Sequence, residues 1–360
     1  MLARLLPQSS VKIWKHPQSD RPVLARWRVG KYGGMSDADG LHVVVGASGG
    51  TGRALTRELA QRGRRVRAVN RSGRVPGTRP DVEVMAGDAT DPTSMLEACR
   101  GASVVYNAVN VPLGQWRLRF PAAIDGVLAG ARSADARMVF VDDTWMYGHA
   151  TGPMTEDLPH RPVSDKGVLR AWLAERVLAA HSRGQVRTVI GRATELYGPS
   201  VESVLGRNLF GPAIGKAPAV WIGDWDQPLG PTYIADFAHG LAELGEHEAA
   251  LGKAWHVPTA PPTTAREFFK LVFSVAERPM QAVRLRTGAA RALGLASPLM
   301  REGAEMLYQF RQPHFVDATA YRTAFGPGQV TSYEQGIKTT LDWYRTMRGP
   351  SVRTSSGARR

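Results

Sequence analysis

The run LHVVVGASGGTGRALTRELAQRG, residues 41–63, constrains this chain more than any other stretch. LHVVV is a short continuous apolar segment, the pattern of a parallel strand buried on both faces. Gly46, Gly49 and Gly52 follow at G-x-x-G-x-x-G spacing. Leu55, Leu59 and Ala60 then form one helical stripe that Gly63 stops. In a strand–turn–helix the glycines permit a tight turn, a close approach of backbone to pyrophosphate, and close packing of helix on sheet. The helix N-terminus offers its free amides to phosphate oxygens. Gly46, Ser48, Gly49, Gly50, Thr51 and Gly52 are therefore the predicted phosphate cradle of a dinucleotide.

The residue that ends the second strand selects the nucleotide. RRVRAVNRSGR places Asn70 where NAD binders usually carry a carboxylate for the ribose 2′-hydroxyl, and Arg71 and Arg74 follow it. Guanidinium groups without a carboxylate suit a 2′-phosphate, so NADP(H) is expected ahead of NAD(H). The plainer alternative is a pair of solvated loop arginines. Strand patterns recur in VEVMAGDATD, ASVVYNAVN, ARMVFVDDTWMYG and QVRTVIGRATELYG, alternating with helical segments. An α/β protein with a doubly wound parallel sheet of Rossmann type follows.

Composition narrows the class of partner. The net charge of +14 would suggest nucleic acid, but residues 1–34 carry +6 and residues 345–360 carry +5, leaving +3 for the body. That balance suits a protein that handles a small molecule rather than nucleic acid. No apolar run reaches the roughly eighteen residues of a membrane span, so a soluble, cytoplasmic protein is expected. The single cysteine, Cys99, reads as a small buried hydrophobe, and no His/Asp/Glu cluster has metal-ligand spacing. Met35 opens a natural polar start before the first strand, so the preceding basic segment is expected to be an over-called or dispensable extension rather than a transit peptide. The expected organisation is a basic, disordered extension over 1–40 and an NADP-binding core over 41–194. Residues 195–345 form mainly a substrate lobe, with some return to the core, and a disordered basic tail covers 346–360.

These residues resemble the short-chain dehydrogenase/reductase superfamily, in its extended and atypical epimerase/dehydratase-like branch. The resemblance spans about 41–345 and rests on GASGGTG, GDATD, NAV, VFVDDTWMYG, GRATELYGP, GPTYIADFAHGL and GIKTTLDWYR. It implies a Rossmann domain with a smaller C-terminal substrate lobe. It also implies Asp88 and Ala89 beside the adenine, and Asn107, Ala108 and Val109 along the cofactor. A homodimer through helices near 120–135 and 165–181 is a further implication, by analogy.

The departures fall on the active centre. The family's Ser or Thr four residues before the turn tyrosine is Asp143 here, with Thr144 one position later. Its Tyr-x-x-x-Lys pair aligns with Lys166 and Arg170 in PVSDKGVLRAWLAE, and no tyrosine occurs between Tyr147 and Tyr197. The asparagine of its RxxNxYGP is Glu195. In one reading Asp143, Lys166 and Glu195 form a new proton-transfer set, with Lys166 also touching the cofactor. Its ammonium would act as donor, assisted by Arg170, with Tyr147 a further candidate acid. In the other, the chemistry has decayed and an NADP(H)-binding regulatory or scaffold protein remains. Charged residues aimed into a crevice are costly unless paired or used, which favours function.

The first reading gives an NADP(H)-dependent oxidoreductase that reduces or redox-isomerises a carbonyl or enone of an apolar or aromatic small molecule, with specialised metabolism as the expected setting. A redox-neutral isomerase, cyclase or dehydratase using Asp143 or Glu195 as base is the alternative. Trp116, Trp145, Trp221 and Trp225 are candidate pocket residues for an apolar or aromatic small molecule, against the equal claim of simple core packing.

Overall fold

A computed structural model describes residues 40–203, 205–285 and 305–347. Apart from residues 40, 346 and 347, the two basic ends lie outside the described residues.

The main sheet is built from β1 (Leu41–Val45), β2 (Arg65–Asn70), β3 (Glu83–Ala86), β4 (Ala102–Asn107), β5 (Arg137–Asp142), β6 (Arg187–Arg192) and β11 (Ala254–His256). Its order is β11-β6-β5-β4-β1-β2-β3, and every neighbouring pair is parallel. All five residues of β1 are buried, as the unbroken apolar run predicts. The chain winds outward from β1 to β3, returns to β4, and winds outward again on the other side. The strand order therefore switches between β1 and β4, and the crevice beyond their carboxyl ends is where such sheets take ligands.

Helices cover both faces. On one side lie α2 (Pro92–Ala98), α3 (Trp116–Ser133) and α4 (Asp165–Ser182). They bury Met95, Phe120, Ile124, Val127, Leu173 and Val177 against Val43, Val105 and Phe140 of the sheet. Cys99 joins this core fully buried, and burial pushes its thiol up to about 12, which leaves it inert. On the other side α1 (Gly50–Gln61) packs on α6 (Ile234–Glu246) through Leu55, Leu59, Phe237 and Leu241. Local chemistry sets the helix starts: Asp91 caps α2 ahead of Pro92, and the Ser164 hydroxyl accepts the Gly167 amide to cap α4.

After β6 the chain builds a second, smaller body. It contains β7 (Leu196–Tyr197), the short helical turn α5 (Gly211–Ala213), β8 (Ala219–Trp221), β9 (Pro228–Leu229) and β10 (Thr232–Tyr233). Beyond β11 follow β12 (Thr263–Thr264), α7 (Ala265–Val275), β13 (Ala282–Arg284), α8 (Thr319–Phe325) and α9 (Tyr333–Met347). Three two-stranded pairs, β10–β7, β12–β9 and β13–β8, frame a separate core of Leu209, Phe210, Trp221, Phe268, Phe269 and Phe310. Because α6 and β11 lie between these pairs in sequence, the chain re-enters the main sheet before it completes the lobe.

Candidate active site at the sheet switch point

The turn after β1 is a backbone cradle. Gly46 has φ +89°, and a Cβ there would lie 2.5 Å from the Ala108 carbonyl oxygen. A Cβ on Gly52 would meet Gly46 O at 2.3 Å, and one on Gly50 would meet Ser200 O at 2.8 Å. Only Gly49 would take a Cβ in ordinary contact, its nearest neighbour, Gly46 O, lying at 3.5 Å. Gly49 is also the N-cap of α1, with no side-chain cap, and no acid stands in the first turn. The opening amides of α1, with Ser48 and Thr51 beside them, thus meet neither a competing carboxylate nor a capping oxygen. This arrangement fits a pyrophosphate. Arg53, which the sequence reading passed over, donates to Ser48 O and to Pro76 O, each at 2.9 Å. It fastens the cradle to the loop after β2.

That loop is folded by Asn70. Its amide donates to Arg74 O at 2.7 Å, and its side-chain oxygen accepts from the Arg74 amide at 3.2 Å. Asn70 is buried and spent on the loop, while Arg71 and Arg74 stand exposed and make no ion pair among the described residues. Asp88 accepts from the Thr90 amide and hydroxyl at 2.9 and 2.8 Å; these bonds hold its carboxyl below the usual range. Ala89 is buried beside it. At the end of β4 the Asn107 side chain accepts from Val109 N at 3.2 Å, and Ala108 N donates to Val45 O at 2.9 Å. One wall of the crevice is thereby fixed.

The opposite wall holds the displaced charges. Arg170 Nε lies 2.9 Å from Asp143 Oδ2, and its NH1 lies 3.5 Å from Asp142. Its guanidinium sits 4.8 Å from the ring centres of both Trp116 and Phe120. Trp145 stacks on Trp116 with centroids 5.3 Å apart and planes at 16°. Burial, the largest cause, pushes the Asp143 carboxyl up to about 6; the Arg170 cation opposes this and neighbouring Asp142 adds to it.

Lys166, 4% exposed, pairs with Glu305 Oε1 at 2.5 Å. The other oxygen of Glu305 accepts from the Asp165 amide at 2.9 Å, so one carboxylate from the second lobe grips the first turn of α4. Thr144 is buried, with its hydroxyl 3.2 Å from His314 Nε2. Tyr147 is buried with its hydroxyl between Arg192 NH1 at 2.7 Å and His256 Nε2 at 2.8 Å. Burial raises this phenol to about 12 against the pull of Arg192. Glu195 is half-buried between β6 and β7, and its carbonyl accepts from Thr232 N at 2.9 Å.

Of the four candidate pocket tryptophans, Trp116 and Trp145 flank the Asp143–Arg170 pair. Trp221 instead lies inside the lobe core, its indole donating to Asp224 O at 3.0 Å, and half-buried Trp225 packs beside it on Phe269. The sequence reading missed Arg53, Asp142, Arg192, His256, Glu305 and His314. Of these, Arg53 follows the third glycine and Asp142 and Arg192 stand inside the family-like motifs, whereas His256, Glu305 and His314 carried no local signal.

A parallel sheet with a glycine cradle at its switch point defines a dinucleotide-binding protein of Rossmann type. A family model described as NAD dependent epimerase/dehydratase family matches residues 42–257, and the chain belongs to that family. It is an NAD(P)-dependent enzyme of the oxidoreductase/epimerase kind. Among curated proteins it is similar to a 2-alkyl-3-oxoalkanoate reductase of Stenotrophomonas maltophilia (strain K279a), 26% identical over 328 residues, covering 82% of this chain and 97% of the relative. A 3 beta-hydroxysteroid dehydrogenase/Delta 5→4-isomerase of Mycobacterium tuberculosis is 24% identical over 270 residues, covering 69% of this chain and 73% of the relative. Among solved structures, UDP-glucuronic acid 4-epimerase from Bacillus cereus in complex with NAD superposes with a TM-score of 0.72 at 15% identity. That match covers 87% of this chain and 99% of the other, a likeness of fold.

Proposed function

We propose that this chain is an NADP(H)-dependent reductase acting on a ketone or enone of an apolar small molecule. The observation that carries the reading is the pairing of the displaced charges. Asp143 with Arg170, and Lys166 with Glu305, form ordered ion pairs beside an intact nucleotide cradle. A decayed site has no reason to keep four charges in register, because each buried ion costs several kcal/mol to desolvate, on the order of what its partner returns.

Gly46, Gly49, Gly50 and Gly52 would hold the pyrophosphate, and Arg71 and Arg74 a 2′-phosphate. When bound, the nicotinamide supplies or accepts a hydride. The chain's own residues do the rest. Lys166, paired with Glu305, would supply positive charge at the start of α4. Asp143 exchanges a proton, its carboxylate held by the Trp145 amide and by Arg170, whose guanidinium lies over Trp116. The stacked indoles offer an apolar wall. That wall agrees with the substrates for which the two relatives are named, an alkylated oxoalkanoate and a steroid, each a ketone or alcohol on an apolar frame.

The test is NADPH oxidation, followed by absorbance, with a 2-alkyl-3-oxoalkanoate and with a 3-oxosteroid. Turnover of either, lost on Asp143→Asn with NADPH affinity retained, supports the reading. NADPH binding without oxidation by either ketone would sink it. Disappearance of an enone with unchanged nicotinamide absorbance would point to redox-neutral isomerisation through the Asp143 carboxyl.

A further inference from the structure

The helix position that carries a tyrosine in the family resemblance is Lys166 here, and the nearby turn tyrosine is already committed. The Tyr147 hydroxyl is held between Arg192 and His256, and the residue is 1% exposed. Among the other described tyrosines, Tyr106 and Tyr321 belong to the sheet core, and Tyr197, Tyr233, Tyr333 and Tyr344 to the lobe core. One phenol remains. Tyr308 is half-buried on the short 3-10 turn Leu307–Arg311.

We propose that Tyr308, delivered by the second lobe, is the proton donor to the substrate oxygen, replacing the phenol that α4 lacks. Its hydroxyl donates to Trp145 O at 3.3 Å, while the amide of the same Trp145 donates to Asp143 Oδ1 at 2.9 Å. The phenol therefore rests on the turn that positions Asp143. Three residues before it, Glu305 holds Lys166 and the Asp165 amide, so the segment is anchored on the first turn of α4. The neighbouring Ser164 hydroxyl lies 3.3 Å from Met306 Sδ. A hydrogen bond of 3.3 Å is long for an O–H donor, so a substrate carbonyl could take its place at little cost. Burial and the fields of Asp143 and Glu305 keep the phenol protonated.

The inference rests on the reductase reading. In that reaction the carbonyl carbon receives the hydride from the dinucleotide, which is oxidised as the ketone is reduced. The carbonyl oxygen takes the Tyr308 proton as the phenolic O–H bond breaks. The phenolate regains a proton from solvent before the next turnover. A phenol is a weaker acid than a carboxylic acid but far stronger than the secondary alcohol it would generate, so the transfer runs downhill.

Two measurements decide it. In a crystal structure of the enzyme with NADP+, Tyr308 Oη is expected within about 5 Å of nicotinamide C4; about 8 Å or more, with the ring turned away, overturns the proposal. In kinetics with NADPH and a 2-alkyl-3-oxoalkanoate, Tyr308→Phe should lower kcat roughly 100-fold or more. KM, and NADPH affinity read from tryptophan quenching, should stay within about threefold. A kcat within about threefold of wild type overturns it as well. Should wild type reduce no ketone, the reductase reading falls, and the crystallographic distance still decides the place of Tyr308.

Discussion

Arg170 of the fourth helix and Asp143 of the turn after the fifth strand face each other at 2.9 Å, at the two positions where the family resemblance implies a lysine and a hydroxyl. The pair turns a neutral donor and a cation into a closed ionic contact flanked by Trp116 and Phe120. Its presence changes what the crevice does with a proton, and it makes the site's stability depend on charge balance.

Arg170→Met should therefore cost about 3–5 kcal/mol, because it strips the counter-ion from Asp143 and thins the one around Asp142. The double variant Arg170→Met/Asp143→Asn should recover a good part of that loss. Urea unfolding of the two variants and wild type checks both statements. Single and double variants of equal stability would mean that the two residues are not coupled.

The glycines of the cradle divide into two kinds. Gly52→Ala places a methyl 2.3 Å from Gly46 O, so it should lower Tm and nucleotide affinity together. Gly49→Ala meets nothing closer than 3.5 Å, so Tm should hold while NADPH binding weakens, since the new methyl projects where phosphate approaches. Thermal melts beside NADPH titrations separate the two outcomes.

Nucleotide choice tests the loop after β2. Arg71→Ala should weaken NADPH binding roughly tenfold or more, the worth of a charge-assisted hydrogen bond, and leave NADH unchanged. Equal losses for both nucleotides would remove the 2′-phosphate role from Arg71.

His314 gives a pH dependence of known sign. Burial lowers its imidazole to about 4, against an ordinary 6.5, so the folded chain holds it neutral across that window. The unfolded chain binds the proton first as pH falls below 6.5, and stability is lost from there down to about pH 4 at up to about 1.4 kcal/mol per unit. His314→Asn lacks this loss. The advantage of wild type over the variant should shrink by about 2 kcal/mol between pH 7 and pH 5. Groups that titrate alike in both proteins cancel, so paired urea melts at the two pH values suffice.

The main sheet and the cradle could be read from the sequence because their signals are local. An apolar run, three glycines and a helical stripe all fall between Leu41 and Gly63, and the alternation of strands with helices gave the parallel winding. The departures at Asp143, Lys166 and Arg170 were visible for the same reason. Their partners were not. Lys166 was read with Asp143 and Glu195, but the carboxylate that grips it is Glu305, 139 residues away. Thr144 meets His314 across 170 residues and Tyr147 meets His256 across 109. Periodicity carries no information on such pairs. Trp221 shows the same limit in another form: an aromatic in a loop reads equally as pocket wall or core, and only packing on Phe269 and Phe310 separates them.

The grip of Glu305 on the start of α4 also orders events in time. The strand, turn and helix of the cradle fall within residues 41–63, whereas this contact closes a loop of 139 residues, and contacts of that span form late because chain entropy must be lost before they return anything. A refolding chain should form the β1–turn–α1 unit before it joins Glu305 to Lys166. Under mild denaturant, the same seam should open first.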